Sequence, residues 1–110
     1  MSYYDEGRYA AALPLFESYL IRQPSDATTR FYFGIAQLAL HQTQQAIETL
    51  STAAEQLPDR QTEINWYLAL AFLQNGDVVT AKKILRPLLE TPGAYQQRTE
   101  DLLRDLESLD

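Results

Sequence analysis

Apolar residues recur three and four positions apart along most of this chain, the spacing of one face of an α-helix. Tyr9, Ala12, Leu13, Phe16, Tyr19 and Leu20 form the first such stripe and predict a helix over about residues 8–22, with Gly7 breaking the chain just before it. The turn Gln23-Pro24-Ser25-Asp26 follows, with Asp26 or Ser25 as N-cap of a helix over about 27–40. His41-Gln42-Thr43 is the next turn, with Thr43 as N-cap of a helix that carries Ala46, Ile47, Leu50, Ala53 and Ala54 inward. Pro58-Asp59-Arg60 ends it. A helix over about 61–74, the turn Asn75-Gly76-Asp77 and a helix over about 78–90 make the next pair, closed by Thr91-Pro92-Gly93. The last helix, about 94–109, shows Tyr95, Leu102, Leu103, Leu106 and Leu109 among charges, apolar on one side only. Pro14 and Pro87 lie inside helices but off the stripes, so both are expected on solvent-facing, bent sides. The fold class is all-α.

The helices repeat in register. Pro24 to Pro58 spans 34 positions, as does Ala12 to Ala46, whereas Ala46 to Ala81 and Gly34 to Ala69 span 35. One residue has therefore been inserted between the second and third units, most naturally in the turn at 58–62. Small residues recur at Gly34 and Ala69 in the first helix of a pair and at Ala12, Ala46 and Ala81 in the second. Large apolar residues follow those second alanines by four, at Phe16, Leu50 and Leu85. A small residue facing a large one at constant spacing lets like helix pairs stack into an α-solenoid.

A helix–turn–helix unit of 34 residues with these small positions resembles the tetratricopeptide repeat. Residues 25–59 match it at Phe33-Gly34, Ala46, Ala53 and Pro58, and depart at Arg30, Gln37 and His41, where an aromatic, tyrosine and glycine are usual. Residues 60–93 match at Leu68-Ala69, Phe72, Gly76, Ala81 and Leu85, with Leu88 where alanine is common. Residues 1–24 keep Tyr3, Gly7, Ala12, Phe16 and Pro24 of a partial first repeat. Residues 94–110 are left as a capping helix, so the expected architecture is one domain of about two and a half repeats plus a cap. Only six residues precede Gly7, too few for the partner helix of a first pair. Either a first helix was cut away when the chain was delimited, or the protein begins with half a repeat. The stretches YxxGRYAAALPLFExYL and WYLALAFLQNGDVVTAKKIL also look like soluble repeat regions of bacterial proteins, some of which carry a membrane anchor upstream. The compartment accordingly stays open: cytoplasmic if the chain is complete, unassigned if it is a fragment of an anchored protein.

Composition narrows the function. The chain has 110 residues, 45% of them hydrophobic, enough for one core. Its net charge of −6, with no Lys/Arg cluster, disfavours nucleic-acid backbones and anionic lipid surfaces. It has no cysteine, which removes disulfides and thiolate metal sites. The N-terminal MSYYDEGRY lacks the regions of a signal peptide, and no apolar run of about 18 residues is present.

No constellation of residues supports catalysis or a cofactor. His41, the single histidine, has neither a carboxylate nor a cysteine partner in sequence and reads as a surface residue. Glu100, Asp101 and Asp105 with Arg98 and Arg104 read as a solvated helix face with i,i+4 pairing. The glycines are scattered and form no phosphate loop.

The resemblance implies a non-catalytic scaffold that binds a protein or peptide in a concave groove lined by the first helix of each pair. The groove-facing positions would be Thr28, Phe31, Ile35, Leu38 and Ala39, then Glu63, Trp66, Leu70, Leu73 and Gln74. Phe31 and Ile35 stand where two residues of the family's carboxylate clamp would sit, so a clamp is not expected. The helix INWYLALAFL is apolar on every side and needs cover on both faces. Phe31, Ile35, Leu38, Trp66, Leu70 and Leu73 are therefore the candidate binding residues, for an apolar peptide or helix. Two alternatives stand beside this. Curvature could pack these side chains against one another or the last helix, or the chain could be the tail of a longer protein or a homodimer through its first helix.

Overall fold

The computed structural model describes the backbone of residues 3–108 and the side chains from Gly7 to Ser108. Six helices follow one another among the described residues: α1 (Tyr3–Arg22), α2 (Ala27–Ala39), α3 (Thr43–Gln56), α4 (Gln61–Gln74), α5 (Val78–Leu88) and α6 (Ala94–Glu107). A 3₁₀ turn, Pro58–Arg60, joins α3 to α4. Each helix packs on the next, and α4 also touches α2 and α6, so the pairs α2/α3 and α4/α5 stack as units with α1 before and α6 behind. No strand occurs among the described residues. Leu109, expected on the last helix, lies outside them, as does the side chain of Tyr3.

Two local expectations need correction. Gly7 does not break the chain, because α1 runs through it from Tyr3; a single glycine lowers helix propensity without ending a helix whose other face is packed. Thr43 is not an N-cap but the first residue of α3; Gln42 is the cap and its side chain makes no capping bond. Elsewhere the caps follow the residue types. Asp26 accepts from the Thr29 backbone N–H at 3.0 Å, and Asp77 accepts from Thr80 N–H at 3.1 Å, each satisfying a donor of the first turn. Pro14 and Pro87 are both exposed, where they leave the buried ladders intact.

The core lies between the pairs in two adjoining clusters. Phe31, Leu50, Ala53, Ile64 and Ala71 form the first; Ala69, Leu85, Leu88, Leu103 and Leu106 form the second. The small-against-large register is realised in both. A Cβ at Gly34 would stand 2.6 Å from Cδ2 of Leu50, so α2 and α3 approach as closely as a glycine permits. One repeat later Ala69 and Leu85 share a cluster. At the front, Phe16 meets Phe33 edge-on at 6.4 Å between ring centres, joining α1 to α2.

Candidate functional site

A groove in two lobes, which share Ile35 and Tyr67, opens along α1, α2 and α4. The front lobe, about 470 Å³, is walled by Tyr9, Ala12 and Phe16 of α1, Tyr32 and Ile35 of α2, and Tyr67 of α4, with Arg8 at its edge. The rear lobe, about 370 Å³, is walled by Ile35, Leu38 and Ala39 of α2 and by Tyr67, Leu70 and Gln74 of α4, with His41 at its end. Both volumes fall in the range of ligand pockets. Ile35, Leu38 and Tyr67 also pack on the first core cluster, so the groove wall is the outer layer of that core and is held rigidly. A shallower, more polar hollow of about 340 Å³ opens beyond Tyr32, between Asp59, Arg60, Thr62, Glu63 and Tyr95.

Of the six residues expected to line the groove, the structure brings three together there: Ile35, Leu38 and Leu70. Phe31 is a correction. It is 1% exposed, a core residue in contact with Tyr67 of the next pair at 5.8 Å and 66° between rings. Trp66 makes the equivalent contact one repeat later, 5.8 Å from Tyr95 of α6. Phe31 thus meets α4 of the next pair and Trp66 meets α6, so both serve to stack one unit on the next. Trp66 and Leu73 rest against the second cluster, which α6 closes, so this part of the apolar surface of α4 is covered by the chain itself.

The groove residues missed from sequence are Tyr9, Ala12, Phe16, Tyr32 and Tyr67, with Arg8 and His41 beside them. Tyr32 and Tyr67 are 35 apart, in the same phase as Phe31 and Trp66, so the repeat did pair them. Periodicity alone could not tell which of two adjacent aromatics turns inward, because helices in a solenoid have apolar neighbours on several sides. Burial pushes the Tyr95 hydroxyl above its ordinary value, and the neighbouring Tyr67 and Glu63 push it the same way, so it stays protonated.

The rear rim is braced by side chains. Gln74 donates through Nε2 to the Leu38 carbonyl at 3.1 Å and accepts through Oε1 from the Thr43 hydroxyl. Gln44 Nε2 donates to Asn75 Oδ1 at 3.0 Å. These bonds tie the α2–α3 turn to the α4–α5 turn and fix the distance between the groove walls. Elsewhere, Arg104 bonds Glu100 at 3.2 Å as the i,i+4 pattern predicts, whereas Arg98 lies 5.5 Å over the Tyr95 ring. No group of histidines and carboxylates among the described residues is arranged to hold a metal ion, and no described helix is long and apolar enough to cross a membrane.

A family model described as tetratricopeptide repeat matches residues 3–64. No curated protein matches the chain. Among solved structures, the type III secretion translocator chaperone SycD of Yersinia enterocolitica is similar in fold, with a TM-score of 0.79 at 20% identity. The alignment covers 94% of this chain and 75% of that one.

Proposed function

We propose, since this chain belongs to the tetratricopeptide repeat family, that its groove grips an apolar segment of another protein. The coarser part of that reading, a protein-interaction scaffold, follows from the family and the fold. The finer part rests on one observation: a continuous two-lobed groove, walled by Tyr9, Phe16, Tyr32, Ile35, Leu38, Tyr67 and Leu70, whose back is a packed core. Tyrosines offer rigid apolar area with a polar tip, a composition typical of binding anchors. A pre-formed groove also spares its occupant the cost of ordering the receptor. The fold neighbour SycD is a translocator chaperone, so an array of this shape attends another protein in that case.

Binding of a fluorescein-labelled leucine/serine peptide, followed by anisotropy, tests the reading. Leu70→Asp and Tyr32→Ala lie outside both buried clusters and should leave helical circular dichroism intact while weakening binding about tenfold or more. Unchanged binding in both variants would refute it.

A second reading has its own observation. Leu15 and Ile21 on α1 are 70% and 82% exposed, and association through α1 would cover them. Sedimentation over a range of concentrations separates the two: a dimer that Leu15→Glu with Ile21→Glu dissociates supports the second reading, and a monomer throughout removes it.

A further inference from the structure

The repeat relation puts α1 in the role of α3 and α5. Ala12 and Phe16 of α1 stand in register with Ala46 and Leu50 of α3 and with Ala81 and Leu85 of α5. The last four have no exposed surface. In each of those pairs the preceding helix packs on the stripe through a small residue: Gly34 of α2 meets Leu50, and Ala69 of α4 shares a cluster with Leu85. Among the described residues α1 packs on α2 only, the helix that follows it. Ala12 and Phe16 are accordingly half-buried, and both line the front lobe.

α2 carries the matching gap. Its Phe31 meets Tyr67 of α4 edge-on, the contact by which one first helix lies beside the next. Tyr32 stands 35 positions before Tyr67, in the same register, and so marks where the aromatic of a preceding first helix would rest. Its side chain is 48% exposed and lines the same lobe. Two helices thus present, around one lobe of about 470 Å³, surfaces that a helix covers elsewhere in the stack.

We infer that the front lobe is the seat of an α-helix from a partner protein, which completes the stack there as α2 and α4 complete it further on. The inference rests on the groove reading above and narrows its ligand to one secondary structure and one residue pattern. α2 and α4 give that pattern: Phe31, Gly34, Ile35 and Leu38 in one, Trp66, Ala69, Leu70 and Leu73 in the other. Both read aromatic, small, aliphatic, aliphatic at i, i+3, i+4 and i+7, the spacing of one helix face. The aromatic rests on Tyr32 and the small residue faces Phe16, where a bulky one would meet α1 as a Cβ at Gly34 meets Leu50. An extended segment puts i and i+3 on opposite faces and cannot make both contacts. A second copy has no such helix to offer, because its own α2 and α4 are built into its core.

A capped fluorescein peptide of residues 26–42, the α2 sequence with its flanking turns, stands in for the partner helix and is followed by anisotropy. It should bind the chain. Gly34→Leu or Ala36→Pro within the peptide should each weaken binding about tenfold, the first by bulk and the second by breaking the helix. In the protein, Ala12→Leu fills the seat and Tyr32→Ala removes the aromatic contact; each should weaken binding about fivefold or more with helical circular dichroism unchanged. Equal binding of the proline peptide shows an extended ligand, which overturns the helix and leaves the groove reading standing. Undiminished binding by the Gly34→Leu peptide, or in both protein variants, overturns the seat. A concentration-dependent dimer that Ala12→Leu dissociates assigns the lobe to a second copy and overturns the partner. If no peptide of this set binds, the seat is closed or already filled and the inference falls; the leucine/serine peptide, run beside it, then decides the groove reading on its own.

Discussion

The close approach of Gly34 to Leu50 makes a quantitative prediction about how the repeats are held. A methyl at position 34 would sit 2.6 Å from Cδ2 and 2.7 Å from Cγ of Leu50, a side chain with no exposed surface. Carbon contacts are normally about 3.5–4.0 Å, so roughly 1 Å of relief must come from helix separation or from a strained Leu50 rotamer. Overpacking of this kind costs about 1–3 kcal/mol, and the helix gains about 1 kcal/mol from exchanging glycine for alanine. Gly34→Ala alone should therefore destabilise by up to about 2 kcal/mol. Leu50→Ala alone should cost about 2–5 kcal/mol for lost burial and the cavity left behind. With Leu50 truncated, the new methyl keeps only an ordinary contact with Thr49 Cγ2 at 3.4 Å, its steric cost disappears and part of the cavity is filled. The double variant should then be more stable than the sum of the singles predicts by about 1–3 kcal/mol. Urea denaturation followed at 222 nm measures all four corners of the cycle, provided the m-values agree. Additivity to within about 0.5 kcal/mol would show that the two helices do not meet at this point and would remove the register argument for stacking.

The same logic gives opposite signs at other glycines. Gly7 lies inside α1, and a Cβ there would meet nothing within 4 Å, so Gly7→Ala should stabilise by up to about 1 kcal/mol in the same urea assay. Gly76 at φ 81° also has open space, yet Gly76→Ala should cost about 1 kcal/mol because the backbone, not a neighbour, excludes the side chain. Phe31→Ala should cost about 3–5 kcal/mol, as for a fully buried aromatic, whereas a residue on an open groove would lose less than about 1 kcal/mol; thermal unfolding of the variant decides between them. Acid should weaken the fold through the caps. The Thr29 N–H and the Tyr19 hydroxyl hold the Asp26 carboxyl below its ordinary value, and Thr80 does the same for Asp77 through its side chain and backbone. A carboxyl whose pKa is depressed by folding contributes stability above its unfolded value of 3.8 and loses it as pH falls through the folded value. The urea midpoint should thus drop as pH falls from about 4 toward 2, and the double variant Asp26→Asn with Asp77→Asn should drop less steeply over that range. Equal slopes would refute the cap assignment.

What was legible from sequence, and what was not, divides along a physical line. The spacing that set Gly34 against Leu50 and Ala69 with Leu85 was visible because close approach between helices tolerates few side chains, and the repeat displays the constraint more than once. The cap Asp26 was visible, beside Ser25, for a similar reason, since few side chains reach back to a first-turn N–H, whereas Asp77 was read only as part of a turn. The groove was harder to resolve. Phe31 and Tyr32 are adjacent aromatics on α2, and a helix flanked by α1, α3 and α4 has apolar neighbours on most of its circumference. The packing of α4 on α2 sets Phe31 against Tyr67 while Tyr32 lines the lobe, and that packing is a property of the stack. Trp66 follows Phe31 by the same rule, because α6 occupies beside α4 the place that α4 occupies beside α2. A repeat protein therefore states its stacking contacts in its periodicity, while the groove proposed for recognition depends on how the stack turns each side chain. In this chain that groove is walled by Tyr9, Phe16, Tyr32, Ile35, Leu38, Tyr67 and Leu70, of which Ile35, Leu38 and Tyr67 also pack on the core.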